Sequence, residues 1–228
     1  MMEKVLAFLL PRHCLLCGCA SGPSNLCAPC RQELPAYPSA NEGVGALIDR
    51  AVSALHYRSP VDYLVCHFKF NGSLACGQVL ADQLGLYIEQ LGVELPDYLV
   101  PVPLHGTRQF QRKFNQADII ARRLGQKFKI PVLSRLLIRR RNTVAQSRLD
   151  AASRHQNMNG AFALRRSRRK LVNRRIALID DVFTTGATLS QCARPLASSH
   201  AAEISAWTVA RADPPGLPAK PAISSRLR

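Results

Sequence analysis

Residues 176–189 read "IALIDDVFTTGATL". Four apolar residues lead into two adjacent aspartates. Two more apolar residues follow, then a Thr/Gly run, then helical spacing. An apolar run of this kind, closed by turn residues, reads as a strand buried on both faces. The stretch therefore predicts a strand over "RIALID" at residues 175–180, a tight turn over "TTGAT", and a helix from Ala187. In open parallel sheets, ligands sit beyond the carboxyl ends of the strands.

Outward from that stretch, strand and helix patterns alternate. "AVSALHY" (residues 51–57) and "YLVPVP" (98–103) read as strands, as do "VLSRLLIRR" (132–140) and "EISAWTVAR" (203–211). "PVDYLVCHFKF" is a short helix. "LACGQVLADQLGLYIEQLG" is a long one, with Ser73 placed as its N-cap. "NQADIIARRLGQKF" sets Ala117, Ile120, Ala121 and Leu124 on one helical face. "ATLSQCARPLASS" is the helix after the turn. This alternation predicts an α/β fold with a parallel sheet covered on both faces. It spans residues 51–211, after a Pro/Ser/Gly-rich linker at 34–50 and before a basic, Pro-rich, disordered tail at 212–228.

The turn is built to meet a phosphate. Gly186 allows the backbone to come close to a ligand. Thr184, Thr185 and Thr188 offer hydroxyls, and the amides through Ala187 and Thr188 open a helix N-terminus. It is not a Walker loop, because no Gly-Lys-Ser/Thr is present. Asp180 and Asp181 stand one short step away, and carboxylates accept hydrogen bonds from vicinal hydroxyls. A ribose 5-phosphate suits this pair of features.

A separate signature precedes the sheet. "CLLCGCASGPSNLCAPC" pairs Cys14 with Cys17 and Cys27 with Cys30, nine residues apart. Two C-x-x-C knuckles can enclose a structural Zn²⁺ with four thiolates. Residues 1–33 form this zinc-binding module. Its loop, residues 20–25, is poor in apolar side chains, so metal binding and folding are coupled. A redox dithiol and unliganded thiols are the other readings, with Cys19 and His13 as further candidate ligands. Four cysteines leave no open coordination position, so no catalysis is expected there.

The 228 residues carry a net charge of +16. Between residues 106 and 178 stand twenty Lys/Arg and only Asp118 and Asp150 as acids. Such a field attracts polyanions or is simply a solvated arginine-rich surface. "VLAFLL" near the N-terminus is too short for a membrane span or a secretory signal, which places the protein in the cytoplasm with no membrane insertion.

"LIDDVFTTGAT" resembles the signature with which type I phosphoribosyltransferases bind 5-phosphoribosyl 1-pyrophosphate (PRPP). "LVPVPLHGTRQFQRKFNQADIIARRL" and "TVAQSRLDAASRHQNMNGAF" resemble blocks of the narrower ComF/GntX-type competence proteins. In that group a cysteine zinc module also precedes the phosphoribosyltransferase domain, and the resemblance runs from about Pro11 to Arg211. It implies Asp180 and Asp181 on the ribose hydroxyls, and Thr184, Thr185, Gly186, Ala187 and Thr188 on the 5-phosphate. It also implies a PRPP or nucleotide ligand with Mg²⁺ bridging ribose and pyrophosphate oxygens. Arg108, Arg112 and Lys113, which follow the "VPVP" strand, are the candidate cations for the leaving group, with Arg112 placed in the catalytic set. Residues 139–148 suggest a lid carrying Arg141 or Arg148.

Two departures stand out. The usual R-R-G-F-N-Q reads Gln111-Arg112-Lys113-Phe114-Asn115-Gln116, with Lys113 at the glycine. Many members carry a second cysteine set where this chain has "YPSANEGVGALIDR". The first loop position is Thr184, not the aspartate that serves as base in 6-oxopurine phosphoribosyltransferases, which argues against hypoxanthine or guanine salvage. Three readings follow: a phosphoribosyltransferase with an open choice of acceptor, tied to DNA uptake and natural transformation; a non-catalytic PRPP- or nucleotide-sensing module that binds single-stranded DNA beside a competence helicase; or a zinc-stapled scaffold with a vestigial pocket. The sequence leaves the acceptor and the oligomeric state open.

Overall fold

A computed structural model describes residues 13–21, 24–37, 40–42, 45–104, 114–139, 161–165 and 171–213. The elements in chain order are α1 (Ala28–Gln32), β1 (Ala40–Glu42), β2 (Arg50–His56), α2 (Val61–Phe70), α3 (Leu74–Leu91), β3 (Tyr98–Pro101) and α4 (Gln116–Phe128). They continue with β4 (Leu137–Arg139), β5 (Phe162–Leu164), β6 (Arg175–Phe183), α5 (Ala187–Ala197) and β7 (Glu203–Arg211).

The main sheet has five strands in the order β1-β2-β7-β6-β3. β2, β7, β6 and β3 run parallel, and β1 adds an antiparallel edge. The expected α/β class with a parallel sheet is borne out. β6 and β7 sit at the centre and are apolar along most of their length, as strands covered on both faces must be. One core layer joins α2, α3 and α4 to the sheet through Phe68, Leu80, Leu84, Ile120, Leu124 and Trp207. The opposite layer joins α5 and the separate β4–β5 pair through Leu137, Phe162, Leu178, Leu189 and Leu196.

Local chemistry sets the helix ends. The Ser73 hydroxyl caps α3 by accepting from the Cys76 amide. Gly92, in the left-handed region, ends that helix. The Asn115 side chain caps α4 by accepting from the Ala117 amide at 3.1 Å.

Three expectations differ in detail. The "VLSRLLIRR" stretch is not one strand: Leu133 donates to Leu99 at the sheet edge, a turn closes from Leu136 to Leu133, and only Leu137–Arg139 forms β4. Residues 34–50, expected as a linker, carry β1, and ahead of it the Tyr37 amide donates to the Ala54 carbonyl while the His56 amide donates to the Pro35 carbonyl. Most consequential, β6 does not stop at Asp180. It runs to Phe183 because β7 is equally long and keeps pairing, Val182 with Ala210 and Phe183 with Arg211. The tail beyond Asp213 and residues 1–12 lie outside the described residues. Among the described residues no helix is long and apolar enough to cross a membrane.

Candidate functional site

The extension of β6 changes the geometry of its two acids. Consecutive strand residues point to opposite faces. Asp180 and Asp181 therefore leave the sheet in different directions rather than side by side. Asp181 turns toward the helical layer of α2, where its Oδ1 lies 3.1 Å from Lys69 Nζ. Asp180 follows Leu178 onto the α5 face, and its charge helps burial push the Cys192 thiol in α5 well up. The Asp181 amide donates to Asp180 Oδ1 at 2.9 Å. Burial, then the neighbouring Asp181 carboxyl, pushes Asp180 up to about 7.

Asp180 also heads a polar row across the sheet. Register places it beside Thr208 in β7, and Thr208 beside Ser53 in β2. The Ser53 and Thr208 hydroxyls are buried and 2.6 Å apart. They satisfy each other, as buried hydroxyls must.

Two residues beyond Asp181 the backbone enters the turn. Gly186 adopts φ +73° and forms the N-cap of α5 with no side-chain cap. Only glycine holds that conformation without strain. Thr185 Oγ1 makes a long 3.4 Å contact with the Ala187 amide, and Thr184 and Thr185 are exposed. The first turn of α5 thus presents amide donors with little internal satisfaction, a setting that favours an anion. Thr184, Thr185, Gly186, Ala187 and Thr188 are brought together at the same end of the sheet as Asp180 and Asp181.

The other expected cations, Arg108, Arg112 and Lys113, fall at 105–113, outside the described residues, as do Arg141 and Arg148. The anchors of the 105–113 segment are described. Val102 donates to the Ile179 carbonyl, and the Asn115 side chain donates back to the Val102 carbonyl at 3.0 Å. The described residues on either side of that segment therefore lie beside Ile179, the residue before Asp180. Phe114 packs on Phe68 with ring centroids 5.5 Å apart.

Sequence reasoning missed Lys69 and Tyr57. Burial, then Cys66, Asp62 and Asp181, raises the Tyr57 phenol to about 12, so it stays neutral at the end of β2. The available signal was local: in "HFKFNG" a lysine is set between aromatics directly before a helix-ending Asn-Gly.

The cysteine module is a compact second centre. The Sγ atoms of Cys14, Cys17, Cys27 and Cys30 lie within 4.8 Å of one another. Cys17 and Cys27 are 3.6 Å apart, close to the roughly 3.8 Å that a tetrahedron of about 2.3 Å metal–sulfur bonds requires. Burial opposes ionisation of Cys14, but the amides of Cys17, Cys27 and Leu16 outweigh it and bring the thiol to about 6. Burial and the other three thiols push Cys30 well up. Four sulfurs this close do not all ionise without a cation between them, so the donor set fits a soft dication. Cys19 is exposed and His13 Nδ1 contacts the Gly18 carbonyl; neither belongs to the cluster. Leu16, Leu26 and Leu34 tie the module into the α2–α4 core layer.

No protein-family model matches the chain. It is similar to competence protein F of Haemophilus influenzae, 32% identical over 209 residues, covering 83% of this chain and 91% of that protein. It is also similar to the DNA utilization protein YhgH of Escherichia coli K12, 30% identical over 203 residues, covering 87% of this chain and 83% of that protein. Competence protein ComFC of Bacillus subtilis is 28% identical over 199 residues, covering 87% and 77%. Among solved structures, the glutamine PRPP amidotransferase of B. subtilis complexed with ADP and GMP aligns with TM-score 0.38 and 18% identity, over 57% of this chain and 26% of that one. The purine phosphoribosyltransferase of Pyrococcus horikoshii aligns with TM-score 0.35 and 16% identity, over 77% and 99%.

Proposed function

We propose that this chain, which belongs to the competence protein F family, binds PRPP or a nucleotide at the carboxyl end of β6 and acts in the uptake or use of DNA. One juxtaposition carries the reading: two acids and an open, threonine-rich helix N-terminus stand five residues apart at the end of a central parallel strand. In this reading the first turn of α5 and the Thr184, Thr185 and Thr188 hydroxyls hold the 5-phosphate. Asp180, half-protonated near neutral pH, is suited both to donate to and to accept from a ribose hydroxyl.

Mg²⁺ would arrive with the ligand and offset its diphosphate charge. Among the described residues the group with metal-ligand geometry is the cysteine cluster, and the two aspartates diverge, so they form no cage of their own. Zn²⁺ is the proposed occupant of Cys14, Cys17, Cys27 and Cys30, as a structural ion. Arg108, Arg112 and Lys113 are the proposed cations for a leaving pyrophosphate; the described residues flanking them, Val102 and Asn115, are bonded to each other, and Val102 to Ile179. No general base stands at the first loop position, where Thr184 is exposed, so the reading centres on the ligand and leaves the acceptor open.

Calorimetric titration of the zinc-loaded chain with PRPP and Mg²⁺ tests this. Saturable binding is expected, lost in the double variant Asp180→Asn, Asp181→Asn. A flat titration of the wild type overturns the reading. Pyrophosphate release over a panel of acceptors then separates an enzyme from a sensor.

A second reading has its own observation: the density of Lys/Arg between residues 106 and 178, in a chain whose relatives are named for DNA utilization and competence. It makes the chain a non-catalytic single-stranded DNA-binding module that acts beside a helicase in the cytoplasm. Anisotropy with a fluorescent oligonucleotide should then show binding that weakens steeply with salt. No binding at low salt removes this reading and leaves the first untouched.

A further inference from the structure

The last turn of α2 sends two consecutive side chains to two different neighbours. Phe68 packs on Phe114, directly before the Asn115 cap of α4. Lys69 reaches over the end of β6 to Asp181. This contact is not an ordinary surface pair. Lys69 and Asp181 are 19% and 11% exposed, whereas Arg123 and Asp82 are 44% and 38% exposed. Lysine loses much side-chain freedom when fixed in this way, and exposed pairs return little for it. An enclosed ammonium at the carboxyl end of a central strand has a better use.

The charges supply it. The Lys69 ammonium pairs with Asp181, and its charge also favours the ionised form of Asp180 through the sheet; a sugar phosphate would bring further negative charge to the same end of the sheet. The 5-phosphate position lies on the α5 face, where the open helix N-terminus is. Lys69 lies on the opposite face, at the side of the sheet where Asp181 emerges. An ammonium carries three donors and rotates on a flexible stem, so it can turn from a carboxylate to a phosphoryl oxygen without moving the backbone. We infer that Lys69 is a ligand-binding residue that pairs with an anionic group at C1 of the ribose. In the free chain Asp181 holds it in place; in the complex it turns to the ligand.

The inference rests on the sugar-phosphate reading of the site, and two ligands separate it from that reading. Ribose 5-phosphate lacks the anionic C1 group; PRPP has it. In calorimetric titrations, Lys69→Met should weaken PRPP by roughly 10- to 100-fold, the value of one charge-assisted hydrogen bond, and leave ribose 5-phosphate unchanged. Lys69→Arg should recover most of the loss. Melting curves of each variant identify a merely structural role: equal weakening of both ligands with a lowered Tm overturns the inference. Unaltered PRPP affinity in Lys69→Met overturns it as well. A wild type that binds neither ligand brings down the sugar-phosphate reading and the Lys69 assignment together, whereas failure of the variant alone brings down only the latter.

Discussion

The cysteine module and the carboxyl end of β6 are opposite kinds of site. All four thiols of the module come from residues 14–30, and their two C-x-x-C spacings place them around one point. The end of β6 is assembled from distant segments: Lys69 from α2, Tyr57 after β2, Asp180 and Asp181 from β6, and the turn into α5. In the proposed zinc reading of the module, the donors hold the fold together. At β6 the fold exists first, and the site is what it leaves at one edge. Perturbation should therefore unfold the one and disable the other.

The largest effect is expected in the module. Leu16, Leu26 and Leu34 are buried in the α2–α4 core layer, so loss of the proposed metal would expose apolar surface there as well. Apparent binding free energies for structural zinc reach roughly 10 kcal/mol and are coupled to folding. Cys30→Ser, or removal of metal by a chelator, should abolish zinc in native mass spectrometry and lower the denaturation midpoint strongly. A metal-free chain with an unchanged midpoint would show that the module is not held by its ligands and would end the contrast.

The same difference decides what the sequence alone reveals. The four-cysteine cluster was legible because spacing alone brings its thiols together. The sheet was legible because buried parallel strands are apolar runs between helical periods, and β7 falls at residues 203–211 as the pattern predicts. The end of β6 was not. Val182 and Phe183 fall between the strand read over "RIALID" and the turn read over "TTGAT", assigned to neither. They are strand because β7 offers Ala210 and Arg211 as partners, and the Arg211 guanidinium packs over the Phe183 ring at 4.5 Å. That long-range pairing also turns the two acids to opposite faces. Lys69 was hidden for a related reason, since nothing local to "HFKFNG" reveals a partner more than a hundred residues away.

A substitution at Gly186 should produce an intermediate effect of the other kind. Its φ of +73° is strained for any β-branched residue, by about 1–3 kcal/mol. Gly186→Val should weaken PRPP at least about tenfold by displacing the amides of the first α5 turn. Circular dichroism should remain that of the wild type, because the turn follows the sheet and does not support it. Loss of the folded signal, with or without ligand, would make the turn as structural as the cysteine knuckles.

The smallest expected effect concerns Asp180 and carries a sign. Its folded-state pKa of about 7 lies above the ordinary carboxylate value, first through burial and then through Asp181. Between about pH 4 and pH 7 the folded chain therefore holds more protons at this position than the unfolded one. The contribution of this group to stability is full below pH 4 and is lost as pH rises through about 7. Partial solvent access keeps the loss on the order of 1–2 kcal/mol. Asp180→Asn removes the titration and keeps the shape. Its melting temperature should match the wild type at pH 4 and exceed it by a few degrees at pH 8, by the usual conversion for a domain of this size. The wild type would thus keep a destabilising acid at the end of its central strand at neutral pH. Equal melting curves at both pH values would mean that Asp180 is solvated and carries no such cost. A gain at pH 8 together with weakened PRPP binding would show stability given up locally for a ligand, which the cysteine module never does.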